Sequence, residues 1–194
     1  MEYAVEFLMI TDEKKKYFGL LSAVWIPFLL LTLFPSAKPA AQTIPDSLLN
    51  KLTGKWTMTG TVGKKPVQYT AQGTWVLQNQ FFVLHMNDLT DSPPYEASLF
   101  IGVDTAKKEY VAHWLDRFGG AGARVVGFGP RPSSSSNTIE IDFPYENKFH
   151  DVFTYLPSQQ EWTLLIEYQK PDSSWNEFAR YVITMQKEKG KTRR

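Results

Sequence analysis

Cysteine is absent from the 194 residues. That excludes disulfides, thiolate metal sites, a cysteine nucleophile and a lipoprotein anchor, and it is compatible with any compartment. Charge of one sign is not in excess either. The 21 Lys and Arg nearly balance the 20 Asp and Glu, so no general field draws in nucleic acid. Histidine is scarce: His85, His113 and His150 fall on three separate segments, and no pair has the spacing of metal ligands. No Gly-x-Ser-x-Gly elbow surrounds Ser133–Ser136, the one low-complexity stretch. Gly119-Gly120-Ala121-Gly122 lacks the strand-to-helix context of a phosphate loop. The carboxylates Glu140, Asp142, Asp151, Glu161 and Glu167 are scattered, and solvated strand faces account for them. No catalytic residue and no metal site is therefore expected, and the chain reads as a binder rather than an enzyme.

What the sequence has is aromatic residues and alternation. From Lys55 to Val62, Trp56, Met58, Gly60 and Val62 share one face while Thr57, Thr59 and Thr61 share the other, the period of a half-buried strand. Val67, Tyr69, Ala71, Gly73, Trp75 and Leu77 repeat the pattern. Further strands are expected over 81–88, 95–103, 109–117, 123–128, 138–143, 148–156, 161–169 and 175–186, with short turns between them. The loop Gly129–Asn137, with two prolines and four serines, reads as the most mobile connection.

About ten strands joined by short reversals pair with their neighbours. An open meander would leave two unpaired edges, and closure removes both. The expected fold is thus an all-β, antiparallel up-and-down barrel, with a two-sheet sandwich as runner-up. Before it, residues 1–41 read as a signal peptide or membrane anchor. Lys14, Lys15 and Lys16 precede the apolar run from Tyr17 to Phe34, which is about long enough to span a bilayer. Met9 could be the true start, and cleavage would follow Ala41. Residues 42–53 form a lead-in helical turn, capped by Asp46 or Ser47 and carrying Leu48, Leu49 and Leu52 across one barrel end. Residues 54–187 are the barrel and 188–194 a basic tail. An exported location, periplasmic or extracellular, follows, with membrane contact only through the leader if it is uncleaved. A tail of that charge could also touch anionic lipid.

The tripeptide Gly54-x-Trp56, on a first strand after a helical turn, resembles the calycin superfamily of lipocalins and fatty-acid-binding proteins. Pro93-Pro94-Tyr95-Glu96, Phe100-Ile101-Gly102-Val103-Asp104 and Tyr110-Val111-Ala112-His113-Trp114-Leu115-Asp116 resemble a bacterial family, domain-of-unknown-function family 1579. Trp75-Val76-Leu77, Phe149-His150-Asp151-Val152-Phe153-Thr154 and Trp162-Thr163-Leu164 fit the same family, over about residues 50–185. The resemblance implies a lipocalin-like barrel and supplies no activity. Nitrobindin-type haem barrels are relatives with a known ligand, which makes haem an alternative cofactor, but their haem-ligating histidine motif has no match here.

A barrel of this size can enclose a small apolar ligand. The residues expected to line such a cavity are Trp56, Tyr69, Trp75, Trp114 and Asp116, with Gly60 and Gly73 leaving space or letting the strands coil. Asp116, inward beside Trp114, could meet a ligand, a backbone amide or an arginine such as Arg124 or Arg180. His113 should point outward. The expected partner is a small hydrophobic molecule and no nucleic acid. One alternative is a haem-dependent barrel of peroxide or nitric-oxide chemistry; another is a filled barrel serving as an interaction domain. Oligomeric state is not legible.

Overall fold

The computed structural model describes residues 46–89 and 94–187. The expected leader and basic tail lie outside those residues. The first described element is one helical turn, α1 (Ser47–Asn50). It forms because the Asp46 carboxylate accepts hydrogen bonds from the amides of Leu48 (3.0 Å) and Leu49 (3.1 Å), satisfying donors that a helix start leaves open.

Ten strands follow: β1 (Gly54–Val62), β2 (Lys65–Val76), β3 (Phe81–Asp88), β4 (Glu96–Asp104), β5 (Glu109–Asp116), β6 (Val126–Pro130), β7 (Thr138–Phe143), β8 (Phe149–Leu156), β9 (Glu161–Gln169) and β10 (Trp175–Met185). Each pairs antiparallel with its neighbour in sequence, and β10 returns to β1, so the sheet is a closed barrel. Trp56 lies opposite Met185 and Gly60 opposite Tyr181 across the closing seam. The meander expectation holds, and the sandwich is overturned by that seam.

Closure gives the barrel two unlike ends. At the end where β1 starts, α1 presents Leu48 and Leu49 to the core and the turn after it adds Leu52, and all three are buried. Three indoles anchor the turn there. Trp56 Nε1 donates to the Leu52 carbonyl (2.8 Å), Trp75 Nε1 to Asn50 Oδ1 (3.2 Å) and Trp162 Nε1 to the Lys51 carbonyl (3.5 Å). Phe82, Leu84, Leu99, Ile101 and Phe153 fill the space beneath. The opposite end carries the loops between β1 and β2, β3 and β4, β5 and β6, β7 and β8, and β9 and β10; among the described residues its one helical piece is the short 3₁₀ turn Gly119–Ala121 in the β5–β6 loop, and a cavity opens there.

Gly60 and Gly73 do not leave cavity space. A Cβ on Gly60 would collide with the Arg180 backbone, and one on Gly73 with the Leu52 carbonyl and the Phe82 ring. Both are places where two backbones approach closely.

Candidate functional site

The end opposite α1 opens into a cavity of about 520 Å³, within the range of small-molecule sites. Strand alternation aims most of its lining inward. β2 contributes Val67 and Tyr69, β3 Met86, β5 Trp114 and Asp116, β7 Phe143, β8 Phe149 and Asp151, β9 Ile166, and β10 Tyr181. Tyr95, Phe118 and Tyr145 come from the loops that frame the mouth. Val62 and Lys65 sit on the rim where β1 turns into β2.

Phe178 reaches the cavity by a different device. The β9–β10 register shifts between Glu177 and Ala179, leaving Phe178 as the extra residue of a bulge. A bulge locally twists the strand and re-aims a side chain. Here it sets the Phe178 ring edge-on against Phe149, with centroids 5.4 Å apart.

Most of the lining is apolar, and its polar groups form two unlike sets. The first is a relay at the mouth. Trp114 Nε1 donates to the Tyr95 hydroxyl (3.2 Å), which donates to Asp116 Oδ2 (3.3 Å), while the Phe118 amide donates to Asp116 Oδ1 (3.0 Å). Both oxygens of Asp116 are therefore engaged within the protein, one by a backbone amide; Arg180 pairs instead with Glu177. Burial pushes the Tyr95 phenol up, the Trp114 indole opposes this, and the Asp116 charge adds to it. Tyr69 lies between Tyr95 and Tyr181, with ring centroids 6.0 and 5.7 Å away. Burial raises the Tyr181 phenol, as do Tyr69, which shares a hydrogen bond with it, and then Tyr95 and Asp151.

The second set is a single carboxyl. Asp151 is only 2% exposed and borders the cavity. No hydrogen bond reaches its carboxyl from any described residue. Its strand neighbours in register are Ile141 and Ile166, which offer it nothing polar. Burial, and next the charge of Asp142 on the adjacent strand, push its pKa from 3.8 to about 8.

Of the five residues expected at the site, Tyr69, Trp114 and Asp116 come together around this cavity. Trp56 and Trp75 lie at the other end. Trp56 is fully buried against α1, and Trp75 packs edge-on with Phe82 at 5.5 Å. Both point inward as alternation requires, but α1 occupies the space they face.

Asp151 reads as solvent-facing in a scan for carboxylates, and the structure buries it. A local signal was available. Phe149, Asp151, Phe153 and Tyr155 alternate with His150, Val152 and Thr154, so Asp151 shares a face with three aromatics.

None of the three histidines lines the cavity. His85 Nδ1 meets Ser98 Oγ (2.9 Å), His113 Nε2 donates to the Ala123 carbonyl (2.7 Å), and His150 Nδ1 meets Asp142 Oδ1 (2.7 Å). A haem in this cavity would find no axial histidine. Among the described residues no cluster of three His, Asp or Glu side chains could hold a metal ion. In sequence comparisons, no family model matches the chain and no curated protein does.

Proposed function

We propose that the protein is an exported, lipocalin-like barrel that binds a small, largely apolar ligand in its interior and performs no chemistry of its own. The observation that carries this reading is the half-filled barrel. One end is packed by α1 and its leucines, while the other holds an open, aromatic-lined volume of about 520 Å³. Leaving such a volume unfilled forfeits dispersion contacts that a packed core would make. A ligand of matching shape recovers them, and the rings supply large contact area at low conformational cost. Apolar and aromatic side chains dominate the walls, with Asp116 and Asp151 as the carboxyls among them, a lining suited to capture of a ligand.

The test is direct. The uncharged probe N-phenyl-1-naphthylamine should brighten on binding and quench tryptophan emission through Trp114. Replacing Met86, whose side chain borders the cavity, by tryptophan should fill the space and weaken binding at least about tenfold. An unchanged affinity in Met86→Trp, or no binding of the probe or of any member of a fatty-acid and sterol panel, would overturn the reading.

A further inference from the structure

The cavity's charged groups do not suit a ligand that is apolar throughout. Two carboxyl groups border it, Asp116 and Asp151, against one cation among the described lining residues, Lys65, which is exposed on the rim. The Tyr145 phenol senses both acids: its pKa is raised first by burial, then by Asp116, then by Asp151. Acidic groups thus outnumber basic ones along the lining, and π-faces wall it. Asp116 has its oxygens occupied. Asp151 has none occupied by any described residue, although it is only 2% exposed. A buried polar group without a partner costs free energy, and the open space beside it is where a partner would stand.

We propose that the ligand is a small apolar amine, bound as its ammonium ion against the Asp151 carboxylate with its hydrocarbon body among the surrounding rings. This rests on the apolar-ligand reading above and narrows it to one chemical class. A buried carboxylate and flanking aromatic faces are complementary to an ammonium group: the first supplies charge and hydrogen-bond acceptors, the second the attraction between a cation and a ring quadrupole. A fatty acid or other anion would find no cation in the interior to pair with, since the one lining cation among the described residues, Lys65, stands on the rim. A neutral ligand would leave the carboxyl half-satisfied.

Proton balance follows from the chemistry. In the empty cavity at neutral pH, Asp151 holds its proton, because burial and Asp142 disfavour its charge. An entering ammonium keeps its own proton and makes the carboxylate the favoured partner. Asp151 then releases one proton to solvent for each amine bound. The ionisable groups around it are Tyr181 on β10, Tyr145 in the β7–β8 loop, Asp116 on β5, Lys65 on β2, and the Asp142–His150 pair on the outer face. The β9 neighbour, Ile166, carries no charge.

The experiment is calorimetric titration with 2-phenylethylamine and its uncharged counterpart 2-phenylethanol. At pH 7.5 the amine should bind at least about tenfold tighter, and its affinity should rise up to about tenfold per pH unit between about pH 6 and 8. The observed enthalpy should change with the ionisation enthalpy of the buffer, reporting release of the proton from that share of Asp151 still protonated at this pH. In Asp151→Asn the amine preference, the pH dependence and the buffer dependence should all disappear while the alcohol still binds, which shows that the variant is folded. Equal affinities in the unaltered protein, or a preference that survives in Asp151→Asn, would overturn the amine and leave the apolar-ligand reading standing. Failure of amine, alcohol and uncharged probe alike would overturn both.

Discussion

Asp151 also ties the stability of the empty protein to pH. In the unfolded chain its carboxyl titrates near 3.8, whereas in the folded barrel it does so at about 8. Between those values the folded state holds a proton that the unfolded state has lost. Stability then falls as pH rises, by up to about 1.4 kcal/mol per unit. The contribution is fully present below about pH 4 and is lost as pH climbs through 8, amounting to about 6 kcal/mol at most across the window. Asp142, the second cause of the shift, is exposed and bonded to His150, so burial carries most of it. Asp151→Asn removes the titrating group, and its urea stability relative to the unaltered protein should improve steadily from pH 5 to pH 8. A difference that is flat with pH would mean that the carboxyl is ionised inside the barrel at all these values. Bound amine would suppress the same slope, because the complex holds Asp151 deprotonated.

At the scale of elements, the helical turn and the cavity divide the barrel between them. Leu49 on α1 is fully buried beneath the indoles of that end. Leu49→Ala should therefore cost about 2–5 kcal/mol of unfolding free energy. Because the cavity lies at the far end, the affinity for N-phenyl-1-naphthylamine should stay roughly unchanged at temperatures where the variant is folded; a large loss would mean that the ends are coupled. Strand alternation was legible in the sequence almost throughout. It gave ten strands, set the boundaries of β3, β7 and β9, and put Trp56, Tyr69, Trp75, Trp114 and Asp116 on inward faces. Period two fixes which face a residue occupies but not how far along the barrel axis it sits. The axial position depends on the lead-in turn, whose leucines fill the end that Trp56 and Trp75 face. The bulge at Phe178 was hidden for a related reason: an extra residue appears only when β10 is laid against β9. Asp151 was legible in principle, since its flanking phenylalanines share its face, but a scan of carboxylates one at a time passes over that pattern.

Closure of the whole barrel is uneven around its circumference. β10 pairs with β1 from Trp56–Met185 to Val62–Ala179, and β9 with β8 over the length of β8. β6 meets β7 at the single register pair Phe128–Asp142. Gly127 and Gly129 explain how the strands still touch: a Cβ on Gly129 would collide with the Glu140 carbonyl, and one on Gly127 with Phe143 and Ile141. Backbone and side chains are pressed together there with few ladder hydrogen bonds to hold them. On the outer face Val126 and Phe128 are partly exposed, so little apolar burial strengthens the seam. Local opening follows the weakest cooperative unit of a structure. In native-state hydrogen exchange, the amides of Val126–Gly129 that face β7 should exchange well before those of β9 and β10, at denaturant concentrations far below global unfolding. Gly127 on β6 lies against the ring of Phe143, a cavity-lining residue, so a bound ligand packed against that ring should slow exchange at β6 more than at the β1–β10 closure. Equal protection of β6 and β9 in the empty protein would show that the barrel opens as one unit, and that the Phe128–Asp142 contact is as strong as the full ladders elsewhere.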